Sequence, residues 1–157
     1  MCMMCSSTNH RVTLTAEDVS AFSGSQTVFQ GATDTVPGGT SSTFGISVGT
    51  PVFGVVNTSG DQDWYRITVV AGQSYTISLN GATVAGIGAI SDTYLRVYNA
   101  AGQLVAENDD AGGLYSGLTL IGLASGTYYI SAGGYQTNTG GYALSVTQPQ
   151  PWTIQQI

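Results

Sequence analysis

From about residue 43 onward, apolar and polar residues alternate along the chain, the pattern of half-buried strands whose successive side chains face opposite ways. In "DWYRITVV", Tyr65, Ile67 and Val69 share one face, while Trp64, Arg66 and Thr68 share the other. "AGQ" reads as a turn, and "SYTISLN" then alternates Tyr75, Ile77 and Leu79 with Thr76, Ser78 and Asn80. The two runs predict a hairpin closed by a Gly-containing turn. "YLRVYNAAGQLVAEN" predicts a second hairpin, with Leu95 and Val97 on one face, a turn at Ala100–Gly102 and a return strand through Leu104 and Ala106. "SGTYYISAGG" groups Tyr128, Ile130 and Ala132, and "GYALSVTQ" groups Tyr142, Leu144 and Val146. Weaker strands are expected at Phe44–Val48 and Val52–Val56. Helical periodicity is nearly absent; only Thr15–Phe22 ("TAEDVSAF"), a Thr cap followed by acids, reads as one or two helical turns. Short strands at intervals of about 8–12 residues, joined by Gly-rich turns, predict an all-β fold: an antiparallel, jelly-roll-like β-sandwich. "AGQSYTISLNG" and "ASGTYYISAGG" look alike, but one such pair is not a repeat array.

Composition sets the boundaries. At 157 residues the chain is one domain with tails. Residues 1–33 read as an N-terminal tail or linker, 34–147 as the sandwich, and 148–157 as a linker and the start of a following region. "QPQP" (148–151) cannot pair in a central strand. Lys is absent, the cations are Arg11, Arg66 and Arg96, and the net charge is −6. That excludes nucleic acid, which needs clustered Lys and Arg, and anionic membranes, and it suits cations as partners. No apolar run approaches the roughly 18 residues of a membrane-spanning helix. The N-terminus lacks the basic and apolar regions of a secretory signal, so export needs another route or a further segment. The only cysteines, Cys2 and Cys5, form a C-x-x-C with no second pair and read as part of a disordered end. The body therefore relies on its core, or on a metal, rather than on a disulfide.

The inventory of chemistry is short. His10 is the one histidine and lies in the tail, there is no H-E-x-x-H, and there is no Lys for a Schiff base or phosphate loop. The carboxylates are more informative, because six of the nine fall at Asp61 and Asp63, at Asp92, and at Glu107, Asp109 and Asp110. Asp61 and Asp63, in "GDQDWY", point the same way in an extended segment. That arrangement suits one shared cation, with Asp34 in the preceding loop available to complete the shell, or a turn in which Asp63 caps the strand start. Asp92 precedes "TYLRVY" and Asn108–Asp110 follow the return strand, so the hairpin brings them to one end. By number of donors this second group is the better supplied. Like charges held together need a cation or a proton. Hard oxygen donors on Gly-rich loops suit Ca²⁺, which takes roughly six to eight oxygens. The alternatives are plain turn residues and a general acid/base pair. Among the tyrosines, alternation does not clearly bury Tyr94, Tyr98, Tyr115, Tyr129 and Tyr135; they are either cross-strand packing or a platform for a polysaccharide or fibrous protein.

"GDQDWYRITVVAGQSYTISLNG", "SDTYLRVYNAAGQLVAENDDAGG" and "ASGTYYISAGGYQTNTGGYALSV", spanning about residues 34–147 in this order, resemble the bacterial pre-peptidase C-terminal domain family. The resemblance implies a non-catalytic jelly-roll module of secreted proteases, related in fold to the collagen-binding domains of clostridial collagenases, which bind calcium where the linker meets the sheet. Under it, Asp61 and Asp63 match a ligand position and Asp34 is the linker-side partner, standing alone where relatives bring several acids. Asp92, Asn108, Asp109 and Asp110 stand at the family's "D-P-Y-L" and "N-D-D" acids, with Thr93 in place of Pro. "PWTIQQI" is similar to the segment that opens the catalytic region of serralysin-like zinc metalloproteases. These resemblances imply the N-terminal accessory region of such a protease, secreted by a type I or other non-classical route. The expected role is a calcium-stabilised module assisting secretion, folding or substrate targeting. Its expected partners are calcium ions and an extracellular polymer or the parent protease's catalytic domain. The alternatives are a carbohydrate- or collagen-type binding module, or a cleaved pro-region that self-associates through sheet edges lacking Lys.

Overall fold

A computed structural model describes residues 34–149. The expected helix at Thr15–Phe22, Cys2, Cys5, His10 and "PWTIQQI" lie outside the described residues. Within them the chain forms eight strands and no helix: β1 (Val52–Val56), β2 (Gln62–Val69), β3 (Tyr75–Gly81), β4 (Thr93–Asn99), β5 (Leu104–Asn108), β6 (Ser116–Leu120), β7 (Gly126–Gly134) and β8 (Gly140–Thr147). They make two antiparallel four-stranded sheets, ordered β1-β8-β3-β6 and β2-β7-β4-β5. Successive strands interleave between the sheets in the manner of an eight-stranded jelly roll.

The alternation read from the sequence positions the core. Tyr65, Ile67 and Val69 of β2, Leu95 and Val97 of β4 and Ile130 and Ala132 of β7 face inward from one sheet. Tyr75, Ile77 and Leu79 of β3 and Tyr142, Leu144 and Val146 of β8 meet them from the other. Ile90, in the loop before β4, is also fully buried and joins this cluster.

Three local expectations are corrected. The β2–β3 unit is not a hairpin: β2 pairs with β7, while β3 pairs with β6 and β8 in the opposite sheet. The turn at Val70–Gln73, closed by Gln73 N–H to Val70 O at 3.2 Å, carries the chain across the sandwich. Tyr75 Oη accepts from Val70 N at 2.9 Å, and Ser125 Oγ accepts from Ala71 N at 2.8 Å. Alternation reports which side chains face the core, and two strands facing across a core carry the same alternation as two that lie side by side. Phe44–Val48 forms isolated bridges, Gly45 to Arg66 and Ser47 to Thr50, rather than a strand. Conversely, "SGLTL" forms β6, which the sequence reading passed over. The β4–β5 hairpin forms as expected, with a bulge between Val97 and Tyr98, and Asn99 Oδ1 closes its turn by accepting from Ala101 N and Gln103 N at 3.0 Å each.

A buried hydroxyl pair fastens one sheet to the other. Thr93 Oγ1 on β4 lies 3.1 Å from Leu79 O on β3 and 2.8 Å from Ser116 Oγ, and it accepts from Ser116 N on β6 at 2.9 Å. Ser116 Oγ also contacts Thr93 O at 2.9 Å. Replacing Thr93 by Val keeps the shape and leaves buried polar groups unpaired. The expected loss is about 1–3 kcal/mol, seen as a lower urea midpoint at unchanged slope.

Candidate metal centre

The end of the sandwich where β2 begins collects three carboxylates. Asp34 sits in the segment that leads into the fold, and its Oδ1 accepts from Val36 N at 2.9 Å. Asp61 ends the β1–β2 turn, where its N–H donates to Thr58 O at 3.1 Å and its Oδ2 accepts from Asn57 N at 3.4 Å. Asp63 is on β2, in phase with Tyr65, Ile67 and Val69, so the alternation that builds the core points it inward. Ligand oxygens from Asp34, Asp61 and Asp63 lie within 4.8 Å of one another.

Asp63 has no exposed surface. Its Oδ2 accepts a hydrogen bond from Tyr142 Oη, which lies 2.7 Å from Tyr65 Oη, while its Oδ1 has no partner. Tyr142 reaches across from β8 because β1 carries Gly54 opposite it: a Cβ at position 54 would stand 2.2 Å from Tyr142 Oη. Burial pushes the Asp63 carboxyl up to about 8, with the charges of Asp34 and Asp61 adding to the rise and the Tyr142 hydrogen bond opposing it. Asp61 is raised by burial first and then by the charge of Asp34. Burial likewise raises both phenols, Tyr65 and Tyr142. A sealed carboxyl with one orphaned oxygen and two acids beside it fits a cation, which replaces the proton. The donor set is all hard oxygen, as Ca²⁺ prefers, and contains no thiolate or imidazole.

The second acid group is looser. Asp92 is raised by burial and by the charges of Asp110 and Asp109, and its buried Oδ1 has no partner. The hairpin does bring these residues to one end, but Asn108 works on its own loop: Oδ1 accepts from Gly117 N at 3.0 Å and Nδ2 donates to Asp110 O at 3.4 Å. Among the described residues, the trio Asp34, Asp61 and Asp63 is the one that meets the 4.8 Å spacing, so the group with more donors in sequence is not the tighter one in space. Alternation marks Tyr142 and Tyr65 only as core residues. The parity of Asp63 with the core run was the available signal for a buried carboxylate.

The aromatics separate into three groups. Trp64 stacks on Tyr98 with ring centroids 4.0 Å apart, and Tyr129 lies 5.9 Å from Trp64. Residues 37–42 pass over them: Trp64 N donates to Pro37 O at 3.3 Å, Ser42 Oγ to Trp64 O at 2.6 Å, and Tyr129 Oη to Thr40 O at 2.8 Å. Trp64 and Tyr129 are buried as a result. Further along the face, Arg96 sits 3.6 Å over the Tyr94 ring, Tyr94 Oη donates to Glu107 at 2.6 Å, and Tyr135 meets Tyr94 edge-on at 6.0 Å. Tyr115 stands apart, exposed, beside β3.

The profile of the bacterial pre-peptidase C-terminal domain matches residues 61–134. Those residues run from Asp61 to the end of β7 and hold every candidate ligand except Asp34. Over that stretch, from the start of β2 to the end of β7, the chain is similar to that family. Among solved structures it is similar to the pre-peptidase C-terminal domain of collagenase from Bacillus anthracis, at 22% identity and a TM-score of 0.51, covering 66% of this chain and 93% of that one. It also matches PliG of Aeromonas hydrophila, a periplasmic inhibitor of g-type lysozyme, at 19% identity and a TM-score of 0.47, covering 63% of this chain and 84% of that one. No curated protein matches.

The raised Asp63 carboxyl fixes a pH dependence. Its folded value of about 8 exceeds the unfolded carboxylate value of about 3.9. The folded state thus keeps a proton that the unfolded state has released. Stability from this group is full below about pH 4 and falls as pH rises towards 8, by at most about 1.4 kcal/mol per pH unit. Asp61 and Asp92 act in the same sense. Denaturant unfolding in excess chelator is expected to show this decline between about pH 5 and pH 8, and Asp63→Asn to flatten it.

Proposed function

We propose that this chain is a calcium-stabilised, non-catalytic accessory module of a secreted bacterial protease, assisting the folding, secretion or substrate targeting of its parent enzyme. The observation that carries the reading is Asp63: a fully buried carboxylate with an unpartnered oxygen, set beside Asp61 and Asp34. A cation there joins the incoming segment, through Asp34, to the sheet, through Asp61 and Asp63, and stabilises the folded state by mass action. The similarity of residues 61–134 to the pre-peptidase C-terminal domain supports the accessory role. So does the placement of Asp63, which is tied to core tyrosines and closed to substrate. The similarity of "PWTIQQI" to serralysin-like enzymes supports a zinc metalloprotease parent and an extracellular location. An H-E-x-x-H motif encoded downstream is the check on that parent.

A second reading rests on the Tyr94, Arg96 and Tyr98 face: a binding surface for a collagen-type polypeptide, whose extended chain suits a row of rings and a guanidinium. Co-sedimentation with insoluble collagen, lost in Tyr94→Ala, is its expected result.

Calcium at about one hundred times its dissociation constant is expected to stabilise the protein by about 2.7 kcal/mol over excess chelator. Asp61→Asn and Asp63→Asn remove that gain, while Asp109→Asn and Asp110→Asn leave it in place. Equal melting temperatures with calcium and with chelator would end the calcium reading.

A further inference from the structure

A cavity of about 300 Å³ opens on the outer side of β3 and β6, lined by Ser78, Asn80, Tyr115, Gly112, Gly113 and their neighbours. None of the acid trio lines it, and it belongs to the other sheet from the Tyr94 and Arg96 face. Its volume is at the lower end of small-ligand pockets. Its chemistry is specific in three respects. The Ser78 hydroxyl and the Asn80 carboxamide project from alternate positions of β3 and make no hydrogen bond among the described residues, so their donors and acceptors are free. The Tyr115 ring is 41% exposed and rests against Gly81, where a Cβ would stand 2.9 Å from Tyr115 Oη. No charged side chain lines the cavity, while Asp109 and Asp110 immediately precede its glycine wall and repel anions.

The wall is also built in advance. Ala111 N donates to Tyr115 O at 2.9 Å and Thr93 N to Leu114 O at 3.0 Å, while Ser116 Oγ donates to Asp109 O at 3.1 Å and Gly117 N to Asn108 Oδ1 at 3.0 Å. A ligand therefore meets an ordered loop and does not bear the cost of ordering it. Beyond the pocket the outer face of β3 stays short and hydroxylated: Ser78 lies beside Ser145, and Thr76 lies between Thr119 and Thr147.

We propose that this cavity is a binding site for a neutral pyranose unit of a glycan. A ring of this kind places its C–H face on Tyr115 and its hydroxyls on Ser78, Asn80 and the backbone of residues 111–113. The row of Ser and Thr along β3 gives a longer chain an unobstructed path across the sheet. Phosphorylated or carboxylated sugars are disfavoured by the neighbouring aspartates.

The test is calorimetric and NMR titration of the protein in calcium with neutral hexasaccharides of glucose, xylose, mannose and N-acetylglucosamine. Saturable binding of at least one is expected, with a dissociation constant between roughly 10 µM and 10 mM. Shift changes should concentrate at residues 78–80 and 111–117. Tyr115→Ala and Asn80→Ala should each weaken binding roughly tenfold or more, at a melting temperature close to that of the parent protein, while Tyr94→Ala leaves it unchanged. The shift map on the unsubstituted protein decides the matter should either substitution unfold the domain. No saturable binding of any of the four at about 10 mM would overturn the proposal. So would binding that maps to the Tyr94–Tyr98 face or survives both substitutions. These outcomes are separable from the calcium reading, which is scored on melting alone.

Discussion

The carboxylate of Asp63 is sealed between two sheets, and charge in that place has to be cancelled. A proton does it at the cost of a carboxyl titrating near 8; a cation does it by drawing in Asp61 and Asp34. Either way the group organises its surroundings. It accepts from Tyr142 on the opposite sheet, Tyr142 meets Tyr65, and the reach of that ring depends on β1 having no side chain at Gly54. Four elements are thereby committed to one polar chain at the end of an otherwise apolar core: β1, β2, β8 and the segment that carries Asp34.

That segment does a second job. After Asp34 it runs along the edge of β2, where Phe44 O accepts from Arg66 N at 2.7 Å and Ile46 N donates to Arg66 O at 3.0 Å. This occupies an edge that would otherwise invite another strand. It also lies over Trp64 and Tyr129, making a small aromatic core outside the sandwich. The two outer faces of the domain end up chemically unlike. One bears rings, a guanidinium and a covering strap; the other bears short hydroxyls and the Ser78–Tyr115 pocket.

Much of this was legible in the chain. Inward residues of β2, β3, β4, β7 and β8 follow from parity alone, because a hydrophobic core sorts side chains face by face. Pairing was less legible, since Tyr75, Ile77 and Leu79 alternate identically whether β3 lies beside β2 or across from it. β6 was missed because Gly117 and Thr119 dilute its apolar signal. At the candidate metal centre, the acids of "GDQDWY" and their link to Asp34 could be named from sequence, and the parity of Asp63 with Tyr65, Ile67 and Val69 signals an inward carboxylate, but its seal and the part of Tyr142 could not be named. They depend on two strands far apart in the chain meeting across the core. At "ENDD" the acids also gather near Asp92, but more loosely, with Asn108 Oδ1 accepting from Gly117 N.

The interleaving of the strands also has a consequence in time. Of all the ladders, β4–β5 alone joins neighbours in sequence; every other one spans much of the domain. Such topologies fold slowly, because long loops close before their contacts stabilise anything. β8 lies between β1 and β3, so the second sheet has no centre until residues 140–147 are present. A chain emerging from the ribosome amino end first therefore carries β1 without a partner, and β3 with β6 alone, until β8 arrives to join the two halves of that sheet.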